Sequence, residues 1–188
     1  QVEHPVTEAI TGLDIVELQL RIAAGEPLPL QQADVRFAGH AIELRLCAED
    51  PAAGFMPASG HLTHWRPGAG LRVEHGLDTR AEVPPYYDSM VAKLIAHGAT
   101  REAARQRLRH GLADTVALGV ATNQAFLAAC LAHPVFAAGE ATTAFIGRHQ
   151  AELLATDPAQ RLQALALAAL LWHGQHGTPL AHAFTLPL

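Results

Sequence analysis

The stretch GHAIELRLCAEDP, residues 39–51, decides the fold of this chain because its apolar residues alternate with polar ones. Ile42, Leu44 and Leu46 fall on one face of an extended segment, and the residues between them fall on the other face. This period of two predicts a β-strand that has one face in the core. Arg45 therefore points away from the core.

Similar short strands are predicted downstream, separated by glycine and proline turns such as RPGAG and VPPYYD. These strands are GHLTHW at residues 60–65, LRVEHGL at 71–77 and MVAKLIAHG at 90–98. Two helices follow, one capped by Thr100 and one capped by Thr122 that ends before Pro134. The first helix carries an apolar stripe formed by Ala104, Leu108 and Leu112. A run of strands followed by helices favours an α+β fold over a doubly wound parallel sheet.

The ends of the chain add two further predicted helices. One runs from a cap at Thr11 to a stop at Gly25, and the other begins at Pro158 after a cap at Asp157. The change of period near Gly39 marks a domain boundary. We therefore predict three segments, at residues 1–37, 38–150 and 151–188.

Composition excludes several classes of protein. The net charge is −5 and no basic block occurs, so the chain lacks the electrostatic footprint of a nucleic-acid-binding protein. The longest apolar run, LQALALAALLW, is shorter than the roughly 20 residues needed to span a bilayer, which predicts a soluble protein. Cys47 and Cys130 are far apart in the sequence, which favours a reducing compartment and small core residues over a disulfide.

Four separated motifs occur in a characteristic order. They are QVEHPVTE at residues 1–8, the helical stretch ITGLDIVELQLRIAAGEP at 10–27, GHAIELRLCAEDP at 39–51 and PPYYDSMVAKLIAHG at 84–98. Together they resemble the biotin carboxylase component of biotin-dependent acyl-CoA carboxylases, from residue 1 to about residue 150. The resemblance implies the end of an ATP-grasp domain over 1–37. It also implies an antiparallel, barrel- or sandwich-like sheet with flanking helices over 38–150, followed by a helical linker.

The resemblance implies a specific chemistry. Such enzymes use ATP and Mg²⁺ to activate bicarbonate as carboxyphosphate, which breaks down to CO2 and phosphate. The phosphate takes the ureido proton of biotin, so that the biotin enolate attacks CO2. By match to the family motifs, Glu3 would be the base that deprotonates bicarbonate, while Gln1 and the backbone of Val2 would hold it. Arg45 would bind biotin and stabilise the enolate oxygen. A carboxylate can activate bicarbonate, and a guanidinium can donate fixed hydrogen bonds to an enolate.

The same residues also have purely structural interpretations. Glu3 would be a solvated carboxylate, and Arg45 would be a surface residue paired with Glu43. Arg72, in PGAGLRVEHG, matches an arginine at the homodimer interface of the family, but it would otherwise be an exposed strand cation. Ala69 stands where the family has the aromatic partner of that arginine, which weakens the dimer prediction.

Other polar residues suggest no additional site. Asp88, in YYDSM, matches a family signature near the active site, but a turn-capping role is the alternative. The histidine pairs His61 with His64 and His173 with His176 have no cysteine or carboxylate that would complete a zinc site. We therefore predict no metal ligands.

The 188 residues lack the glycine-rich loop, phosphate-binding lysines and magnesium carboxylates of an ATP site, and they lack a biotin-accepting lysine. We therefore expect the chain alone to be inactive. Its last helix suggests a fused α subunit of the methylcrotonyl-CoA, propionyl-CoA or geranyl-CoA carboxylase type. Such a subunit works with a biotin-carrier domain and a carboxyltransferase, in the bacterial cytoplasm or the mitochondrial matrix. The alternative function is a non-catalytic dimerisation and assembly module that uses the sheet and Arg72.

Overall fold

The computed structural model describes residues 4–78, 80–156 and 158–176. Its helices are α1 (Pro5–Thr11), α2 (Ile15–Ala23), α3 (Arg101–Asp114), α4 (Gln124–Ala132), α5 (Pro134–Ala138), α6 (Phe145–Leu153) and α7 (Pro158–His176), with short 3-10 helices at Gln32–Asp34 and Pro51–Ala53. Its strands are β1 (His40–Cys47), β2 (Glu49–Asp50), β3 (Met56–Pro57), β4 (Gly60–His61), β5 (His64–Arg66), β6 (Arg72–His75), β7 (Glu82–Val83), β8 (Met90–Gly98) and β9 (Val116–Leu118). The chain divides into two compact units, Gln1–Leu153 and Leu154–Leu188.

The main sheet of the first unit is antiparallel, in the order β1-β8-β6. Three further antiparallel pairs join β2 to β3, β4 to β7, and β5 to β9. The α+β fold with antiparallel strands is thus confirmed. Among the described residues the strands form one three-stranded sheet and three separate two-stranded pairs, and they do not close into a barrel.

The core lies between the main sheet and α3. Leu44 of β1 is directly opposite Leu94 of β8, and both side chains are buried. Helix α3 packs on these two strands, and its N-cap is Thr100, whose side chain accepts from the Ala103 amide as predicted. The predicted stripe is buried, and its members are Ala104, Leu108 and Leu112. Each leucine removed from water contributes about 1.5–3 kcal/mol, so this layer fixes the orientation of the sheet.

The opposite face of the sheet is partly covered by α1. Ile95 points away from α3, opposite Glu43, yet it is buried because α1 packs against β1 and β8. Arg72 of β6 also reaches Glu8 of α1, with 2.5 Å between Nη2 and Oε2. The segment that begins at His4 therefore lies on the outward face of the sheet. The predicted boundary between residues 1–37 and 38–150 stays a prediction, because α1 packs closely against the domain that follows it.

Arg105 is a buried cation in α3. Its Nε and Nη2 each donate to the Glu102 carboxylate at 2.7 Å, and its Nη1 donates to the Leu131 carbonyl at 2.5 Å. Hydrogen bonds, first from Arg105, lower the pKa of Glu102 from 4.5 to about 2. The arginine therefore joins α3 to the end of α4 with its charge compensated.

Two predicted helix caps are wrong. Thr11 ends α1 instead of starting a helix, because its hydroxyl donates to the Thr7 carbonyl at 2.7 Å. Asp14 is the N-cap of α2, and its carboxylate accepts from a backbone amide of the first turn. The N-cap of α4 is Asn123, not Thr122, and its side chain makes no capping hydrogen bond.

The second unit contains α7, which begins at Pro158 as predicted. The predicted cap, Asp157, lies outside the described residues. The large apolar side chains of α7 are at least 59% exposed, and they are Leu162, Leu165, Leu167, Leu170, Leu171 and Trp172. None of the described helices is long and apolar enough to cross a bilayer.

Candidate functional site

Arg45 lies on the outward face of β1 and is exposed, as the alternation predicts. Its Nε donates to Met90 Sδ at 3.2 Å. Within the described residues, its two terminal nitrogens have no hydrogen-bond partner, and Arg45 forms no ion pair with Glu43. A guanidinium held at one nitrogen can present its other two to an external oxygen.

Lys93 lies directly opposite Arg45 on β8 and is the only lysine of the chain. Glu74 of β6 lies on the other side of Lys93, so an arginine, a lysine and a glutamate form a row across the sheet. Two cations on facing strands give this face of the sheet a positive potential, which would attract an anionic ligand. Lys93 was not predicted as a site residue, because its position beside Arg45 depends on the register between β1 and β8, which the sequence pattern does not report.

A cavity of about 420 Å³ opens beside Arg45. Its polar lining is held in place by local hydrogen bonds, because Ser89 Oγ donates to Glu49 Oε1 at 2.6 Å and Asp88 Oδ1 accepts from the Met90 amide at 2.8 Å. The turn-capping interpretation of Asp88 is thus confirmed. The remaining lining residues are Glu43, Leu44, Cys47, Asn123 and Leu127.

The two cysteines occupy different environments. Cys130 is buried as predicted, and burial raises the pKa of its thiol to about 11. Cys47 is half-buried and lines the cavity, so the core prediction is wrong for this residue. Burial, and then the charge of Glu49, raise the pKa of the Cys47 thiol. Neither thiol therefore has the lowered pKa that is typical of an activated nucleophile.

A second cavity, of about 350 Å³, lies on the same face of the sheet. His4 and Glu8 from the N-terminal segment line it together with Lys93 and Met90. Met90 thus contacts Arg45 on one side and borders this second cavity on the other. Gln1, Val2 and Glu3, the predicted bicarbonate residues, lie outside the described residues.

Arg72 lies on the outward face, opposite Ile95. Its Nε donates to Glu74 Oε1 and its Nη2 donates to Glu8 Oε2, each at 2.5 Å. These hydrogen bonds, first from Glu74 and then from Glu8, raise the pKa of Arg72. Since Glu8 also accepts from the Ile15 amide at 2.9 Å, Arg72 connects the sheet to α1 and to the start of α2. Its predicted role in a dimer stays a prediction.

A cluster of two histidines and a glutamate joins α4, α5 and α6. His133 Nε2 is 3.2 Å from Glu152 Oε2, and His149 Nδ1 is 3.3 Å from Glu152 Oε1. These separations could suit a metal ion, but His133 Nδ1 accepts from the Val135 amide at 3.2 Å. A ring nitrogen that accepts carries no proton, so Nε2 carries it and donates to Glu152. This geometry favours a hydrogen-bonded cluster that joins the helices over a metal site. The spacing of histidines did not predict this cluster, because His133 is 19 residues away from Glu152 in the sequence.

Two family models match the chain. The model of the biotin carboxylase C-terminal domain matches residues 43–148, and the model of the carbamoyl-phosphate synthase L chain ATP binding domain matches residues 1–31. The two matches follow each other in the order that the sequence motifs indicate.

Curated proteins and solved structures agree with these matches. The biotin carboxylase of Halalkalibacterium halodurans is 50% identical over 151 residues, covering 79% of this chain and 33% of that protein. The mitochondrial methylcrotonoyl-CoA carboxylase subunit alpha of Arabidopsis thaliana is 46% identical over 160 residues, covering 84% of this chain and 22% of that protein. The biotin carboxylase domain dimer of Hydrogenobacter thermophilus 2-oxoglutarate carboxylase, in complex with MgADP, ADP and bicarbonate, is 43% identical with a TM-score of 0.79. That match covers 84% of this chain and 35% of the other. The chain thus spans about a fifth to a third of the length of these relatives.

Proposed function

Since the chain belongs to the family of the biotin carboxylase C-terminal domain, we propose that it forms the C-terminal part of the biotin carboxylase site of an acyl-CoA carboxylase subunit. The parent subunit carboxylates biotin with bicarbonate at the expense of ATP. The chain alone contributes the sheet and its outward face but does not complete the site.

The observation that carries this proposal is the pair of adjacent cations, Arg45 and Lys93, on the open face of the sheet. Biotin, when bound, supplies the ureido group that accepts the carboxyl group. Arg45 donates hydrogen bonds to the ureido oxygen as negative charge builds up there, and Lys93 adds positive potential beside it. Two terminal nitrogens of Arg45 that are unused among the described residues fit this role, because a fixed donor stabilises charge that develops in the transition state.

The N-terminal motif belongs to the same site in this proposal. It immediately precedes His4, which lines a cavity together with Lys93. Glu3 deprotonates bicarbonate, while the Gln1 side chain and the Val2 backbone hold the bicarbonate oxygens. A base and a cation in one site would bring the bicarbonate-derived carboxyl group close to biotin.

ATP and Mg²⁺ bind elsewhere in the longer protein. Lys93 is the only lysine of the chain and lies in the sheet, so the 188 residues offer no set of lysines for ATP phosphates. We expect no ATP affinity when the chain is titrated alone in a calorimeter, and binding of MgATP when the full-length subunit is titrated. Measurable ATP binding by the chain alone would contradict this part of the proposal.

The decisive experiment uses the full-length subunit and measures carboxybiotin formed from bicarbonate, MgATP and free biotin. Arg45→Ala should lower this rate about 100-fold or more, the usual cost of removing a donor to a developing anion. Arg66→Ala is the matched control, because Arg66 is an exposed strand arginine in β5. A wild-type subunit that forms no carboxybiotin, or an Arg45→Ala variant that forms it at the wild-type rate, would refute the proposal.

The assembly partners follow from the same proposal. The subunit works with a biotin-carrier domain and a carboxyltransferase, in the bacterial cytoplasm or the mitochondrial matrix. A dimerisation module is the second candidate function, and the dimeric biotin carboxylase domain of the Hydrogenobacter neighbour favours it. Sedimentation tests it, because Arg72→Ala should weaken a dimer that Arg66→Ala leaves intact. A monomeric wild-type chain would exclude this alternative for the fragment.

A further inference from the structure

Asn123 occupies an unusual position for a helix N-cap. It is 6% exposed, and its side chain makes no hydrogen bond to the first turn of α4, although asparagine is favoured at N-caps because its side chain can do so. Its amide is instead directed to β1. Oδ1 accepts from the Cys47 amide at 2.9 Å, and Nδ2 donates to the Arg45 carbonyl at 3.2 Å.

These hydrogen bonds complete the free edge of the main sheet. β1 is an edge strand, and an edge strand leaves alternate backbone groups without a partner. Asn123 bonds to three of these groups, because its own backbone amide also donates to the Cys47 carbonyl at 3.1 Å. One residue therefore replaces a missing neighbouring strand at the position of Arg45.

The strand needs this support because its pairing with β8 is irregular at the same point. Leu46 is opposite Ala92 but Cys47 is opposite Met90, so Val91 is an extra residue on β8. Such a bulge weakens the ladder and re-aims nearby side chains. Met90, which holds the Nε of Arg45, is the first paired residue beyond the bulge.

Asn123 is itself held by the loop that precedes it. The Thr63 amide donates to the Leu118 carbonyl at 2.7 Å, and Gly119 adopts φ +110° against the backbone of β4. On the other side, the Leu127 amide donates to the Asn123 carbonyl at 2.9 Å, which starts α4. The backbone of Asn123 is thus held on both sides, and its side chain extends from there to the end of β1.

We propose that Asn123 is the positioning residue for Arg45. Its amide holds the backbone of residues 45–47 against the bulge, so that the guanidinium is fixed before the ligand arrives. A side-chain amide suits this position because its oxygen accepts from the Cys47 N–H while its nitrogen donates to the Arg45 carbonyl. The inference rests on the proposed function, since it assigns Asn123 a role in placing the residue that binds biotin.

The first test examines the structural link in the 188-residue chain itself. Asn123→Ala should speed hydrogen exchange at the Cys47 amide by about tenfold or more, because that amide loses its acceptor. Thr115→Val is the matched control. Thr115 is also buried, and its hydroxyl accepts from the Gly68 amide at 3.0 Å and donates to the Gly111 carbonyl at 2.7 Å, so these hydrogen bonds lie outside β1. Equal exchange at Cys47 in both variants would overturn the inference.

The second test examines function in the full-length subunit as carboxybiotin formed per ATP cleaved. Asn123→Ala should lower this ratio about ten- to a hundredfold, the scale expected when a catalytic group is misplaced by roughly 1 Å. Thr115→Val should lower the melting temperature but keep the ratio. If Asn123→Ala does not fold, Asn123→Asp serves instead, because it keeps the acceptor for Cys47 and loses the donor to Arg45.

The outcomes separate this inference from the proposed function. A wild-type subunit without carboxybiotin formation would overturn both. A wild-type subunit that is active and loses activity with Arg45→Ala, but whose ratio is unchanged in the Asn123 variants, would overturn the positioning role alone. A ratio that falls equally in the Asn123 and Thr115 variants would show a general loss of stability and would also overturn it.

Discussion

Replacing Arg45 with lysine tests whether the geometry of the guanidinium matters beyond its charge. Lysine keeps the positive charge but has no planar fork, so it cannot contact Met90 Sδ through one nitrogen while donating to an oxygen through two others. The variant therefore loses at least one charge-assisted hydrogen bond in the transition state. Such a bond contributes about 1.5–3 kcal/mol. Since 1.36 kcal/mol corresponds to a factor of ten, carboxybiotin formation should slow by about ten- to a hundredfold.

The assay is the steady-state rate of carboxybiotin formation by the full-length subunit, with ATP affinity measured in parallel by calorimetry. ATP affinity should stay near the wild-type value, because the proposed site of ATP lies outside this chain. Arg66→Lys, on an exposed strand position of β5, controls for a general effect of replacing an arginine. An Arg45→Lys variant with the wild-type rate would show that the planar guanidinium is not needed for the reaction. A variant with weakened ATP binding would show that Arg45 acts on a different step.

The remaining predictions concern the base, the backbone and two charged clusters. Glu3→Gln in the full-length subunit should suppress bicarbonate-dependent ATP cleavage, because an amide cannot take the proton; normal cleavage would refute the assignment. Gly119→Ala should lower the free energy of unfolding by roughly 2–5 kcal/mol, because a Cβ at φ +110° would lie 2.1 Å from a backbone oxygen. Urea unfolding should show a smaller loss for Gly54→Ala, where the added Cβ meets nothing within 4 Å. The pKa of Glu102 is lowered to about 2, so the stability that its ionised carboxylate contributes is fully present above pH 4.5 and disappears as the pH falls towards 2. Glu102→Gln should therefore lower the melting temperature above pH 4.5 and leave it nearly unchanged near pH 2. A melting-temperature difference that is the same at every pH would contradict this. Added Zn²⁺ should not raise the melting temperature, and a rise that His149→Ala abolishes would show that the histidine cluster binds metal.

The main sheet could be predicted from the sequence because its signals are local. Alternation in residues 39–51 predicted the buried and outward faces of β1, and the structure places Leu44 and Arg45 on the faces expected. The cap at Thr100 was also predictable, because a threonine followed by a strong helical pattern has few alternatives. The sequence predicts a feature correctly where the residues that determine it are close together in the chain.

The caps that failed are polar residues with more than one available partner. Thr11 has a hydroxyl that can start one helix or bond to the last turn of the preceding one, and the unexpected helix α1 determined the outcome. Asn123 is a stronger case, because its side chain bonds to residues 76 and 78 positions away in the sequence. No local pattern reports a partner at that distance.

The row formed by Arg45, Lys93 and Glu74 brings together charged side chains from three strands that are distant in the sequence. Arg45 and Lys93 carry like charges on facing strands, and Glu74 lies opposite Lys93 on the other side. Glu74 is also shared, because it accepts a hydrogen bond from Arg72, which in turn holds Glu8 of α1. A shift of α1 would therefore disturb the hydrogen bonds that join Glu8, Arg72 and Glu74 beside the cation pair. We expect the position of α1 to affect the proposed site, and a Glu8→Gln variant would test this effect separately from the proposed role of Glu3, because it leaves Glu3 unchanged.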